Sequence, residues 1–189
     1  MINRIPHAAD QPHVPTLTGP RIVLRAPQSG DAARRLALGH SSEVLQAYGM
    51  DSATVPSLTE TACQAWLAEQ QAALAWMITL GGDLIGTVRL HSHVMADRRA
   101  NLAIGLLDAA HLGQGYGTEA LRLVIEQAFD GMGLNRLSLR VLDTNERAIR
   151  CYAKLGFVTE GRERQSARTA DGWRDDVMMG LLASEWVPD

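Results

Sequence analysis

The sequence is poor in the features that mark secreted, membrane or nucleic-acid-binding chains. Among 189 residues there are two cysteines, Cys63 and Cys151, too few for a disulfide scaffold, so we expect two reduced thiols. A formal net charge of −3 provides no basic surface for nucleic acid or an anionic membrane. No apolar run approaches a membrane span, and no apolar signal core follows the first residues. We therefore expect a soluble cytoplasmic protein with no nucleic-acid or membrane partner.

Proline is scarce outside the first part of the chain. Four of the seven prolines fall within residues 1–20, where hydrophobic patterning is weak, and this predicts an extended or mobile arm. The remainder is long enough for one domain with a substantial core. We place the arm at residues 1–15 and the single domain at residues 16–189.

Hydrophobic periodicity predicts an α/β sheet of about seven strands with helices threaded between them. The first strand spans residues 21–25, and Ser-Gly-Asp at 29–31 opens a helix. A capping box at 57–60 begins a second helix that ends near residue 73. The polar segment 39–56 between these helices is predicted to be a loop suited to substrate recognition. A hairpin follows, in which Gly81 and Gly82 supply positive φ.

The second half of the chain continues the alternation of strands and helices. A strand at 101–107, a long helix that ends at the glycines of 131–133, and a strand at 137–142 predict a parallel pair joined by a crossover. Strands at 155–160 and 177–182 complete the sheet. Trp66, Trp76, Trp173 and Trp186 are interpreted as core or sheet-packing residues, with Trp173 able to border an acceptor site.

Three glycines precede the long helix. Gly113, Gly115 and Gly117 lie within residues 111–121 and run directly into the helical segment. Backbone N–H groups at a helix start lack intrahelical partners and favour anions, so small residues there indicate a phosphate site. The helix carries an apolar stripe that would pack on the sheet, formed by Leu121, Val124, Ile125, Ala128, Phe129 and Met132.

Other interpretations of this glycine pattern are possible. A Walker-type loop requires a lysine after the last glycine, and none follows Gly117. A dinucleotide fingerprint requires a third glycine where this chain has Thr118. A plain strand-to-helix turn would also use glycines here.

A second motif follows the strand at 137–142. Residues 143–157 predict a short helix in which Thr144 can cap the start and Gly156 suits the left-handed position after the end. Asn145 and Tyr152 are seven residues apart and therefore share a helix face. Either residue alone could be structural, Asn145 as a cap and Tyr152 as a half-buried aromatic.

Together the two motifs resemble a known family. QGYGTEA at 114–120, followed by Asn145-x-x-Ala148-x-x-x-Tyr152-x-x-Leu155-Gly-Phe, resembles the GNAT superfamily of acyl-CoA-dependent N-acetyltransferases. Residues 157–186 resemble the end of its branch of ribosomal-protein and spermidine acetyltransferases, and the resemblance covers roughly residues 16–187. It implies a mixed, mostly antiparallel sheet of about seven strands, with splayed fourth and fifth strands and about four flanking helices.

The resemblance also implies a mechanism with acetyl-CoA as co-substrate and no metal. A primary amine, which could belong to a protein N-terminus, a polyamine or another small molecule, would attack the thioester directly in a ternary complex. Tyr152 would protonate the departing thiolate, and strand amides near Gly105 and Leu106 would hold the thioester carbonyl. The implied cofactor-binding residues are Gly105, Leu106, Leu107, Gly113, Gln114, Gly115, Tyr116, Gly117, Thr118 and Asn145.

Two positions depart from the family pattern. Leu112 stands where much of the family has Gln or Arg, which leaves phosphate contacts to backbone amides. Asn101 stands where relatives often have Glu, and an amide cannot accept a proton from an ammonium group. The general base is therefore unassigned, with Asp176, Glu160 and Glu163 as candidates.

Two other function classes remain as alternatives. Asn101 favours a non-catalytic acyl-CoA-binding or sensor domain, which would retain the groove without acetyl transfer. A nicotinamide oxidoreductase would require selective NAD binding, and the absent third glycine argues against it. His91 and His93 share a strand face but have no third metal ligand at convincing spacing. Exposed strand edges are compatible with a homodimer.

Overall fold

The computed structural model describes residues 13–188, so residues 1–12 of the predicted arm lie outside it. The strands are β1 (Leu17–Thr18), β2 (Ile22–Arg25), β3 (Leu74–Leu80), β4 (Asp83–Val94), β5 (Arg99–Leu106), β6 (Arg136–Leu142), β7 (Val158–Thr169) and β8 (Gly172–Leu182). The helices are α1 (Asp31–Leu38), α2 (Ser42–Ala47), α3 (Glu60–Ala72), α4 (Tyr116–Glu126) and α5 (Glu146–Lys154). Between residues 13 and 188 no helix is both long and apolar enough to cross a membrane.

All eight strands form one sheet in the order β1-β2-β3-β4-β5-β6-β8-β7. Neighbouring strands are antiparallel except β5 and β6, which are parallel. This confirms the mixed, mostly antiparallel sheet and the predicted crossover. Pairing between β5 and β6 covers only Arg99–Asn101 against Arg136–Ser138, although both strands continue further. The central strands therefore splay apart beyond Asn101, as the family resemblance implies.

The core lies mainly between this sheet and α4. The predicted stripe is buried from Leu121 to Phe129, along α4 and the helical turn Gln127–Gly131 that continues it. It packs against strand residues such as Ile22, Val88 and Leu102. A smaller cluster of Ala32, Cys63 and Leu67 joins α1 and α3. Because α4 is fixed by this packing, its first turn is held at the open end of the splayed strands.

Several predicted boundaries are wrong. The sheet has an eighth strand, β1, because Leu17 and Thr18 pair with β2 within the proline-rich segment. The segment 39–56 contains α2, whose N-cap Ser41 accepts a hydrogen bond from the Val44 amide at 3.5 Å. The last two strands are longer than predicted because they form a continuous hairpin from Val158 to Leu182.

Two helix caps and one tryptophan also differ from the predictions. Helix α5 is capped by Asn145 rather than Thr144, and α3 is capped by Thr59, whose hydroxyl accepts from the Ala62 amide. Trp76 is fully buried, as predicted, whereas Trp173 is 55% exposed at the start of β8 and does not pack in the core.

Candidate active site

The glycine run before α4 combines two positions of positive φ with one that has none. Gly113 and Gly115 have φ values of 75° and 85°, which glycine adopts without the clash of a Cβ atom. Gly115 is the N-cap residue of α4. Gly117 has no positive φ, and no atom lies within 4 Å of where its Cβ would be. Gly113 and Gly115 therefore shape the turn, while Gly117 leaves open space beside the amides of the first helical turn.

Arg21 braces this loop from the first strand pair. Its guanidinium donates to the Gln114 carbonyl at 2.9 Å and to the Glu119 carboxylate at 2.8 Å, and lies 4.8 Å from the centre of the Tyr116 ring. Burial raises the pKa of Glu119, but hydrogen bonds from Arg21 and Ile22 outweigh it and hold that pKa below its usual value. The Arg21 guanidinium thus places a positive charge beside the loop, although residue 112 is leucine and not the Gln or Arg of much of the family.

The register of β5 decides which amides face the gap between β5 and β6. The Leu107 amide donates to the Ile85 carbonyl at 2.9 Å, and Gly105 is paired with Thr87. Because hydrogen-bonded pairs alternate in antiparallel ladders, Gly105 and Leu107 direct their amides to β4. The carbonyl of Ile104 and the amide of Leu106 are directed to the gap. Among Gly105, Leu106 and Leu107 of the predicted site, Leu106 therefore has the amide that is free to donate into the gap.

Tyr48 follows α2 and reaches this part of β5, and no sequence motif marked it. Its hydroxyl donates to the Ile104 carbonyl at 3.2 Å. The side chain is 49% exposed overall, yet the hydroxyl end lies against the strand. Burial there raises the pKa of Tyr48, and the nearby Arg89 partly opposes the shift. The segment predicted to recognise substrate thus brings a phenol to the splayed strands.

Tyr152 lies on α5 with only 8% of its surface exposed. Its ring packs edge to face on Phe157, with ring centres 5.9 Å apart. Burial raises the pKa of Tyr152 well above its ordinary value, with smaller contributions from Tyr48 and Cys151. The phenol is consequently protonated at neutral pH.

A contact between helices joins the two predicted motifs. The Thr118 hydroxyl lies 3.1 Å from the Cys151 sulfur, one residue from Tyr152. The first turn of α4 and the tyrosine-bearing turn of α5 are therefore adjacent, although Thr118 and Cys151 are 33 positions apart.

Asn145 uses both ends of its amide inside the protein. Its Oδ1 accepts from the Ala148 amide, and its Nδ2 donates to the Ala47 carbonyl, both at 3.2 Å. An ion pair of 3.0 Å between Glu43 and Arg147 makes a second link between the same helices. Asn145 thus caps α5 and attaches it to the end of α2.

The candidate bases differ in their surroundings. Glu160 forms a two-pronged ion pair with Arg136, which lowers the pKa of Glu160. The carboxylates of Glu163 and of the buried Asp176 lie 3.6 Å and 3.8 Å from Arg140. None of these contacts singles out a general base.

The neighbours of Asn101 are polar. It pairs with His91 of β4 and Ser138 of β6, at the last residue before the splay. Partial desolvation and the nearby cations Arg89 and Arg140 all lower the pKa of His91. Within the described residues, no three potential ligands gather to hold a metal ion.

A groove of about 680 Å³ lies beside Tyr48. It is bordered by α2 and the loop after it, the start of α5 and the turn between β7 and β8. The charged residues that line it are Glu43, Asp51, Glu146, Asp171, Arg147 and Arg174. Four carboxylates against two guanidiniums give it a negative balance.

Comparison with known protein families agrees with these features. The family described as acetyltransferase (GNAT) domain matches residues 21–158, well over half of the chain. The chain belongs to this family. The match includes the glycine loop, the splayed strands and α5 with Tyr152.

Similar proteins include named N-acetyltransferases. The chain is 34% identical to "Probable N-acetyltransferase YjcK" of Bacillus subtilis over 52% of its own length and 55% of that protein. It is 27% identical to spermidine N(1)-acetyltransferase of Escherichia coli over 63% of both chains. The matched region thus covers 55% of the first relative and 63% of the second, which is less than two thirds of either protein. With the family match, these similarities show that the chain carries a GNAT acetyltransferase domain.

Solved structures confirm the fold. Spermidine N-acetyltransferase from Vibrio cholerae, in complex with CoA and spermine, has a TM-score of 0.74 at 20% identity and covers 88% of this chain and 98% of its own. Ribosomal-protein-S5-alanine acetyltransferase from Vibrio fischeri has a TM-score of 0.71 at 18% identity, over 92% and 99%. At these identities the likeness establishes the shared architecture.

Proposed function

We propose that this chain transfers the acetyl group of acetyl-CoA to a primary amine, which attacks the thioester directly in a ternary complex. The observation that carries this proposal is the contact between Thr118 and Cys151, because it sets the glycine loop beside the turn that bears Tyr152. Phosphate binding and thiolate protonation would then occur at neighbouring points along one extended donor substrate.

The donor would lie in the gap between β5 and β6. Amides of residues 113–118 would hold its pyrophosphate, aided by the α4 dipole, which contributes about 0.3–1 kcal/mol per favourable charge. The Leu106 amide would donate to the thioester carbonyl and to the oxyanion that forms there. One such donor is worth about 3–4 kcal/mol of transition-state stabilisation. We infer that this is the largest single contribution to rate.

Tyr152 would act on the departing sulfur. Burial keeps its phenol protonated, which a proton donor requires. The raised pKa also makes complete proton transfer from the phenol to a thiolate less favourable, because thiol pKa values lie near 8.5. A hydrogen bond to the developing thiolate would therefore supply much of the stabilisation. The expected contribution is about 10²-fold, at the low end for proton-transfer groups.

The acceptor would enter from the side of the groove beside Tyr48. Its negative balance suits a cationic amine such as a polyamine, and a protein N-terminus or another small amine fits the same chemistry. The general base is not assigned. Location in the cytoplasm and homodimer formation also stay predictions.

Thermal unfolding with acetyl-CoA, CoA or NAD tests the donor site. A ligand at about 100 times its dissociation constant adds roughly 2.7 kcal/mol, which raises Tm by about 5–11 °C for a domain of this size. We expect stabilisation by acetyl-CoA and CoA and none by NAD. Stabilisation by NAD alone would contradict the proposal.

Turnover separates the enzyme from a non-catalytic sensor, for which Asn101 is the main sequence argument. Thiol release should be measured with a panel of primary amines for the wild type, Tyr152→Phe and the control Met95→Ala, whose side chain is 72% exposed. We expect Tyr152→Phe to lose about 10²-fold in kcat while its affinity for CoA is unchanged. A wild type that binds acetyl-CoA but acetylates none of the amines would favour the sensor.

A further inference from the structure

Gly105 and Tyr48 fit together in a way that backbone geometry does not explain. Gly105 lies within β5 and has no positive φ, so its conformation does not require glycine. A Cβ atom added there would overlap the Tyr48 hydroxyl, with the ring carbon Cζ at 3.4 Å. The hydroxyl thus occupies the space that any side chain at position 105 would need.

This space adjoins the predicted thioester site. The Ile104 carbonyl, which accepts the Tyr48 hydrogen bond, is directed to the gap between β5 and β6, as is the Leu106 amide. Tyr48 lies over the residue between them. An acyl group held by Leu106 would therefore meet the Tyr48 phenol.

The backbone that carries Tyr48 is firmly held. Its amide donates to the Leu45 carbonyl at 3.0 Å, and the adjacent Ala47 carbonyl accepts from Asn145. Gly49 packs so closely that a Cβ there would lie 2.9 Å from Leu142. Because both sides of Tyr48 are anchored, a bulky acyl chain could make room only by turning the phenol away from Ile104.

We propose that Tyr48 closes the acyl end of the donor site and restricts the donor to short acyl groups. This inference rests on the proposed function, since it assigns acyl-CoA to the gap. Acetyl is accommodated beside the phenol, whereas each further methylene must displace the hydroxyl and break its bond to Ile104. Tyr48 is thus a specificity-determining residue.

Binding of acyl-CoA thioesters tests this without knowledge of the acceptor. Calorimetry should compare CoA, acetyl-CoA, propionyl-CoA and n-butyryl-CoA with the wild type, Tyr48→Phe, Tyr48→Ala and the exposed control Met95→Ala. We expect the wild type and the control to bind acetyl-CoA about tenfold more tightly than n-butyryl-CoA. In Tyr48→Ala the ratio should fall to about threefold or less, with Tyr48→Phe between.

The outcomes separate the two proposals. Equal wild-type affinities for acetyl-CoA and n-butyryl-CoA, or a ratio unchanged in Tyr48→Ala, would overturn the role of Tyr48 while leaving the donor site in place. Failure of every variant to bind CoA itself would overturn the proposed function, and the role of Tyr48 with it. Circular dichroism of each variant checks that it is folded; Tyr48 is not a core residue, so folding should survive its replacement.

Discussion

Replacing Asn145 tests whether this side chain serves the fold or contacts the donor substrate. Its Oδ1 caps α5 and its Nδ2 bonds the Ala47 carbonyl, both at 3.2 Å. Loss of an N-cap costs about 1 kcal/mol, and loss of a side-chain hydrogen bond costs about 1 kcal/mol more. Asn145→Ala should therefore lower the free energy of unfolding by about 2 kcal/mol, or Tm by about 4–8 °C.

A second Asn145 variant separates the contribution of the cap from that of the bond to Ala47, and a variant elsewhere on α5 serves as a control. Asn145→Ser keeps an oxygen that can cap α5 and removes the donor to Ala47, so it should lose about 1 kcal/mol. Arg150→Ala is a control on the same helix. Its ion pair with Glu146 is exposed, with side-chain exposures of 67% and 75%, and should contribute about 0.5 kcal/mol or less. Urea unfolding followed by tryptophan fluorescence measures all three values.

The same variants distinguish the structural role from a cofactor contact. If Asn145 acts only as a cap and a link to α2, Asn145→Ser should bind CoA within about twofold of the wild type, because less than about 0.4 kcal/mol of binding energy is lost. A tenfold weaker CoA affinity in a stably folded Asn145→Ser would instead support direct contact with the donor. Losses in Asn145→Ala no larger than in Arg150→Ala would refute the structural role.

The remaining predictions concern the phosphate loop and its brace. Gly117→Ala should change stability by no more than about 0.5 kcal/mol, because its Cβ meets nothing, yet should weaken CoA binding by crowding the helix start. Gly115→Ala should lower the free energy of unfolding by about 1–2 kcal/mol, since φ is 85° and Arg21 would lie 3.2 Å from the added Cβ. Equal stability losses in Gly115→Ala and Gly117→Ala would contradict the separate roles of the two glycines. Arg21→Met should reduce stability most above about pH 4.3, the usual Glu pKa. The folded-state pKa of Glu119 is depressed, so its stabilisation is present above that pH and disappears as pH falls through the folded value. The Tm difference between wild type and Arg21→Met should shrink from pH 7 to pH 3, and a constant difference would count against the ion pair.

Features that depend on local backbone conformation were predictable from the sequence. Gly81 and Gly82 have φ values of 60° and 98° in the β3–β4 turn, and Gly156 has 90° after α5. Each is a position where a left-handed conformation selects glycine. The apolar stripe of α4 was equally readable, because a 3.6-residue period reports directly on the buried face. The alternation of strands and helices predicted the parallel crossover, whereas the splayed strands around the site were implied by the family resemblance.

Helix α2 was not predictable in the same way. Six residues are too few to form a stable isolated helix, so its existence depends on contacts from elsewhere in the chain. Leu45 supplies its one buried side chain, and Asn145 and Arg147 attach it to α5. The polar composition of residues 39–56 therefore indicated a loop, and Tyr48 had no local pattern to mark it.

The choice of Leu106 as the proposed oxyanion donor shows where sequence reasoning reaches its limit. A strand at 101–107 was predicted, but the direction of each amide depends on which residues pair with β4, and side-chain alternation does not report that parity. The bond from Leu107 to Ile85 resolves it, directing Leu106 to the gap and Gly105 to the sheet. Gly105 then needs another reason to be glycine. The Tyr48 hydroxyl above it provides that reason, through a contact between elements 57 positions apart in the sequence.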